Sequence, residues 1–242
     1  MENSILDRYK IVKEKIEQAC IDAGRRVEDV QLVIVTKGFD ALNVLNLEKT
    51  GNPILGENYP EETVKKIEEL KTLKPAFNPV WHMIGHLQSR KIKYMSPNFA
   101  MIQSIDSVQV AEKVNSFYKN LGKYIDVLVE INIAGEITKS GFTVSTLKEK
   151  EIFIEDFTKL KDLKNINIKG LMCMPPYAVK EDQNRRYYEA CYGLREELIK
   201  ETKIEGFAQL SMGTSADFQT AIHCGATMVR VGEAIMGRRV IK

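Results

Sequence analysis

The sequence predicts an α/β protein, a closed (β/α)8 barrel of the TIM type with an extra helix at its N-terminus. Three observations carry that expectation. Short apolar runs rich in β-branched residues alternate with helix-period segments along the whole chain, eight such pairs can be counted, and 242 residues is a length that one barrel of this kind fills. An open doubly wound sheet, built from the same alternation, is the competing arrangement, and the count of eight favours closure.

Residues 1–24 form the leading helix, with apolar positions at Ile5, Tyr9, Val12, Ile16, Ala19 and Cys20 and a left-handed stop at Gly24. QLVIVTK, ending at Lys37, is the first strand, and ALNVLNLEK the helix after it. The second pair is NPILGEN with EETVKKIEELK. The third is VWHMIGH with a short helix near Ser89 to Tyr94. AMIQSID then leads to SVQVAEKVNSFYKN, where Ser107 reads as the N-cap and Gly122 follows the end. DVLVEINI passes through the loop AGEITKSGF to a helix over Thr146 to Leu163. NIKGLMCM passes through Pro175-Pro176 to a helix from about Lys180 to Lys200. The last two pairs are FAQLSMG with ADFQTAIHC and TMVRVG with EAIMGRR. No low-complexity segment or Gly/Ser linker marks a boundary, so residues 1–242 are expected to form a single domain.

Charge narrows the function classes. Thirty-five basic and 33 acidic residues leave a net charge of +2, spread along helices rather than gathered into a basic arm, so composition does not imply nucleic acid. The N-terminus MENSILDRYKIVKEKIEQAC has no apolar signal core, and no later run approaches membrane-spanning length, which predicts a soluble cytoplasmic protein without a membrane partner. Four scattered cysteines lack a CxxC pair or any metal spacing and read as free thiols.

In such barrels the reactive residues collect at the C-terminal ends of the strands. Lys37 continues the parity of Val33 and Val35, which points it inward if those two face the interior. Desolvation and a neighbouring cation would then lower its pKa, and the neutral amine is the form that attacks an aldehyde. Read alone, it could equally snorkel into water. SMGTSADF places Ser211, Gly213, Thr214 and Ser215 before a helix, where free backbone N–H groups favour an anion, although Ser215 could serve as an ordinary N-cap. Gly232 and Glu233 open the next helix, and two glycine-assisted helix starts on adjacent strands favour a phosphate site. Glu233 would contribute its backbone N–H there, because its carboxylate would repel the anion. Arg230 lies inside an apolar strand and needs either a carboxylate or a ligand. His82 and His86 are four apart, but the window reads as a strand entering a loop, so no metal site is expected.

The motifs LVIVTK, LGENYPEE, WHMIGHLQSRK, GLMCMPP and SMGTSADFQTAIHCGATMVRVGEAIMGRR, in this order over nearly the whole chain, resemble the YggS/PROSC family of pyridoxal phosphate homeostasis proteins. That family is similar in fold to the N-terminal domain of alanine racemase, the fold type III barrel of pyridoxal 5′-phosphate (PLP) proteins. The resemblance implies PLP as cofactor, Lys37 as the Schiff-base lysine, Asn58 as a pocket residue, Ser215, Gly232 and Glu233 as the phosphate cradle, and Arg230 facing the pyridine nitrogen. Two departures, Thr214 where the family often has Met and Pro60 after the GENY motif, remove no group that binding needs.

What the resemblance implies is a monomeric carrier that buffers PLP, with apo forms of PLP-dependent enzymes as possible partners. An arginine at the pyridine nitrogen disfavours protonation there and makes the ring a poorer electron sink. A racemase-like enzyme is the alternative, but it needs a second proton donor, for which Tyr59 is the nearest candidate and a packing aromatic the simpler reading. His82 is expected to line the pocket without an assigned chemical role.

Overall fold

Strand pairing closes the sheet. In the computed structural model, which describes residues 4–177 and 181–238, the strands are β1 (Gln31–Val35), β2 (Ile54–Glu57), β3 (Val80–Met83), β4 (Met101–Ile105), β5 (Ile125–Asn132), β6 (Phe142–Thr143), β7 (Ile166–Cys173), β8 (Gln209–Ser211) and β9 (Met228–Val231). Pairing runs β1-β2-β3-β4-β5-β7-β8-β9 and returns to β1, all parallel, with Val33 opposite both Ile54 and Arg230. The β4–β5 pairing, Met101 opposite Asp126, completes the ring. This is the expected (β/α)8 barrel. The two-residue β6 adds only to the upper end of β5, with Phe142 opposite Ile131, and falls inside the segment expected to be a loop.

Alternation sorts the side chains into two cores. Val33, Met101, Leu128, Met172 and Met228 form a small buried cluster with Ile54, the fill of the barrel interior. Their strand neighbours Ile34, Leu55, Ile102, Val127 and Leu171 join the much larger cluster beneath the helices.

The helices are α1 (Ile5–Asp22), α2 (Ala41–Leu45), α3 (Pro60–Leu73), α4 (Val108–Asn120), α5 (Leu147–Lys161), α6 (Arg185–Thr202), α7 (Phe218–His223) and α8 (Glu233–Met236). Their starts follow from local chemistry. Ser4 and Asp7 cap α1 reciprocally, Thr146 and Glu149 do the same for α5, and the Ser107 hydroxyl accepts from the Val110 N–H at the start of α4. The sixth helix begins later than its periodicity suggests. A 3-10 turn occupies Glu181–Asn184 before α6, and Lys180 lies outside the described residues, as does Arg239 at the end of EAIMGRR. α1 buries Val12, Ile16, Ala19 and Cys20 and packs on α7 and α8, where the Arg8 Nε donates to the Ile235 carbonyl at 2.7 Å. No described helix is long and apolar enough to cross a membrane.

Candidate functional site

Lys37 follows β1 directly, half-buried, in a turn closed by the Phe39 N–H on the Thr36 carbonyl. The residue before it is held at three atoms. Thr36 donates its N–H to the Gly56 carbonyl at 3.1 Å and its hydroxyl to Glu57 Oε1 at 2.7 Å, and its own carbonyl accepts from Lys66 Nζ at 3.1 Å. Glu57 and Lys66 form a buried ion pair at 2.5 Å between β2 and α3. Such a pair is weak as a source of stability, but it defines one backbone geometry, here the one that presents Lys37.

Asn58 leaves β2 toward the barrel mouth. Gly85 makes room for it, since a Cβ there would lie 2.6 Å from Asn58 Cγ. The Asn58 side-chain oxygen is buried without a hydrogen bond, an amide end in want of a partner. Tyr59 is 49% exposed with Lys91 Nζ 5.4 Å from its ring centroid, a surface aromatic rather than an acid poised over the mouth.

Arg230 does not meet a carboxylate by hydrogen bond, one of the two partners its position called for. Buried in β9, it donates from Nη1 to Ser211 Oγ at 2.6 Å and from Nη2 to the Cys173 carbonyl at 2.9 Å. The chain continues across the interior. Ser211 Oγ donates to Gln103 Oε1 at 2.6 Å, and Gln103 Nε2 lies 2.9 Å from His82 Nδ1. A guanidinium can only donate, so each link has a forced direction and the His82 Nδ1 must accept. Burial agrees by lowering the His82 pKa to about 4, against a smaller upward pull from Asp126, which keeps the ring neutral. His82 is therefore the end of a chain that orients Arg230.

The residues expected to cradle a phosphate come together, though not as helix caps. Six-residue α7 begins at Phe218 after Asp217, so Ser215 does not cap it. Its hydroxyl instead accepts from the Gly232 N–H at 3.1 Å and the Ala234 N–H at 3.3 Å. Two amides from the loop after β9 thus converge on one small oxygen. Gly232 is pressed against β1, where a Cβ would stand 3.2 Å from Val35 Cβ. The exposed Glu233 carboxylate turns away to Arg238 at 3.4 Å. Buried Asp217 shapes the loop by accepting from the Thr214 N–H at 2.8 Å, Asn184 Nδ2 at 2.9 Å and the Tyr188 hydroxyl at 2.6 Å.

Closure of β9 on β1 thus brings Lys37, Arg230, Gly232 and Ser215 to one sector of the mouth, with Asn58 one strand further on. Glu130 and Asp106, which sequence reasoning missed, sit across from them, with His86 beside Asp106. Glu130, inward on β5 in the alternation of Leu128, is half-buried, and His86 Nδ1 lies 2.6 Å from Asp106 Oδ2 just beyond β3 and β4. An acid in the middle of the apolar run VLVEINI was the available signal for Glu130. Among the described residues no group of three or more His, Cys, Asp or Glu side chains could hold a metal, and all four cysteines are buried and free.

Fold and site together define a (β/α)8 barrel of the ligand-binding class, with its polar groups gathered at the C-terminal ends of the strands. Residues 23–240 match the family described as alanine racemase, N-terminal domain. A pyridoxal phosphate homeostasis protein of Aquifex aeolicus is 35% identical over 96% of this chain and 97% of its own length. The structure of a protein of unknown function from Bifidobacterium adolescentis superposes with a TM-score of 0.85 at 31% identity, covering 96% of this chain and 94% of that one. PipY of Synechococcus elongatus, determined with PLP bound, gives 0.76 at 25% identity over 92% of this chain and all of its own. The chain belongs to the pyridoxal phosphate homeostasis protein family, within the alanine racemase N-terminal domain fold.

Proposed function

We propose that this chain binds PLP at the barrel mouth, with Lys37 as the covalent anchor, and acts in the cell as a PLP carrier and buffer. The observation that carries the reading is the β1–β9 closure, which sets the lysine end of one strand beside Arg230 and the Ser215/Gly232 cradle of its neighbours. The residues fit the group. The Gly232 and Ala234 amides with the Ser215 hydroxyl suit a phosphate, the unpartnered Asn58 amide oxygen suits a donor on a ring substituent, and Arg230, fixed by Ser211 and Cys173, would face the ring nitrogen.

When bound, the ligand would supply an aldehyde, and Lys37 is the residue whose neutral amine would hold it, with one water released. The chain's own contribution is to hold that amine, through the pinned Thr36 backbone, on the same side of the mouth as the phosphate anchors. Arg230 would offer the ring a hydrogen bond without transferring a proton, because a guanidinium holds its protons far more tightly than a pyridine nitrogen does. That favours holding the cofactor over amino-acid chemistry. The relatives named as homeostasis proteins support the buffering role. Apo PLP-dependent enzymes as recipients, a monomeric working unit and a cytoplasmic place belong to the same proposal.

Visible absorbance of the purified protein should vanish in Lys37→Ala, and borohydride reduction should leave a pyridoxyl group on Lys37 in a peptide map. A colourless wild-type protein that ignores added PLP refutes the proposal. Amino-acid turnover with α-proton exchange at enzymatic rates refutes the carrier role.

A further inference from the structure

Glu130 is an inward carboxylate near the barrel mouth that the proposed cofactor chemistry leaves unused. It sits on β5 in the alternation of Leu128, with Met172 of β7 as its strand partner, so its side chain belongs to the barrel interior. No hydrogen bond or ion pair among those described holds its oxygens. Three charged or titratable groups from other elements act on it: Asp106 beyond β4, Arg230 on β9 and His86 beyond β3. The strand partner on β7 is an uncharged methionine, and Asp106 is itself engaged by His86 at 2.6 Å.

We infer that Glu130 is a binding-site residue whose ionised carboxylate competes with an anionic ligand for the positive charge of Arg230, so that ligand binding and proton uptake by Glu130 are coupled. The inference deepens the proposed cofactor role and rests on it. Arg230 is buried and permanently charged, and its bonds to Ser211 and Cys173 are to neutral oxygens, which leave its charge uncancelled. Two carboxylates act on it, Glu130 and then Asp217. Asp217 is already committed to hydrogen bonds from Thr214, Asn184 and Tyr188, so Glu130 is the one whose oxygens are left to exchange with a ligand. Glu130 and Arg230 each act on the ionisation of the other. With Glu130 protonated, Arg230 offers a full positive charge to a phosphorylated, phenolic ligand. With Glu130 ionised, that charge is opposed by a second carboxylate, and the entering anion also meets Asp106. Burial, and then Asp106, push the Glu130 pKa up to about 7 against the downward pull of Arg230 and His86, which places the exchange in the range where a cell would feel it. By linkage the ligand raises that pKa further, and the complex takes up a proton.

The test uses pyridoxine 5′-phosphate, an alcohol that cannot condense with Lys37, in equilibrium binding to the full chain at about pH 6 and about pH 8, on either side of the Glu130 pKa of about 7. The Kd of the wild-type protein divided by that of Glu130→Gln should rise about fivefold between the two, the lower end of common coupling strengths. The quotient removes the ligand's own titrations. Asp106→Asn serves as the second variant, and it should move the pH midpoint of the wild-type dependence downward, because one charge that raises the Glu130 pKa is gone. Should Glu130→Gln fail to fold, a midpoint unmoved by Asp106→Asn overturns the inference. A flat quotient with both proteins binding ligand overturns it as well and leaves the cofactor site standing. Failure of the wild-type protein to bind either pyridoxine 5′-phosphate or PLP overturns both.

Discussion

At the level of single residues, the barrel interior contains two titrating groups whose effects on stability oppose each other. His82 has its pKa lowered from 6.5 to about 4 by burial, so its contribution is complete above pH 6.5 and is lost as pH falls toward 4. Glu130 has its pKa raised from 4.5 to about 7, again by burial first, so its contribution is complete below pH 4.5 and is lost as pH rises toward 7. Between pH 4.5 and 6.5 the two slopes partly cancel. In Glu130→Gln the His82 slope stands alone, and the urea midpoint should fall as pH is lowered from 6.5 to 4, by a loss of at most roughly 3 kcal/mol for a shift of this size. Adding His82→Asn should flatten that curve, and a slope that persists would place the acid sensitivity elsewhere. The polar chain behind this behaviour was only partly legible in the sequence. Arg230 stood out because a guanidinium in an apolar run demands an explanation. Gln103 did not, because one amide in AMIQSID is compatible with either face of a strand until the register is known, and Ser211 stood out only as an anion-site candidate, not as the link between Arg230 and Gln103 that it forms.

Secondary elements show the same division between what pattern reveals and what contact decides. The long apolar strands and the capped helices were readable, because alternation, capping residues and glycine stops are local. β6 was not, since two residues pair with β5 only after the loop has folded back, and the start of α6 was displaced by a 3-10 turn that periodicity cannot distinguish from helix. The glycine in NIKGLMCM carried no special signal either. In the fold Gly170 has φ 154°, and a Cβ there would stand 1.9 Å from the Gln209 carbonyl oxygen of β8, a distance no rotamer can relieve. This close approach accompanies the register shift between β5 and β7 after Val127. Gly170→Ala should therefore push β8 away from β7 and cost about 3 kcal/mol, the upper end for overpacking, read as a lower guanidinium midpoint at unchanged slope. β8 carries Ser211, so the same variant should weaken PLP binding. A stable variant with normal affinity would mean that β8 can slide without disturbing Arg230.

Across the whole molecule, α1 ties the cofactor sector to the opposite edge of the chain. It covers α7 and α8, the short helices whose preceding loops supply Ser215 and Gly232, and neither is long enough to hold its position by helix propensity alone. Val12, Ile16, Ala19 and Cys20 are buried in that contact, on the order of 6 kcal/mol of apolar burial, which is comparable with the whole net stability of a domain. A chain lacking residues 1–24 should consequently show no cooperative thermal transition, rather than a slightly weakened barrel. The milder Ile16→Ala leaves a folded protein in which the coupling can be measured. It should cost about 2 to 5 kcal/mol, the usual range for such truncations, and lower the melting temperature by the same amount in far-UV circular dichroism and in the fluorescence of Trp81, the lone tryptophan, which lies on β3 two strands beyond β1. If Trp81 keeps its original midpoint while the helical signal is lost early, α1 and the phosphate sector form a unit that melts separately. Coincident midpoints, with PLP raising both together, would make residues 1–242 one cooperative domain in which the N-terminal helix is a structural part of the cofactor site.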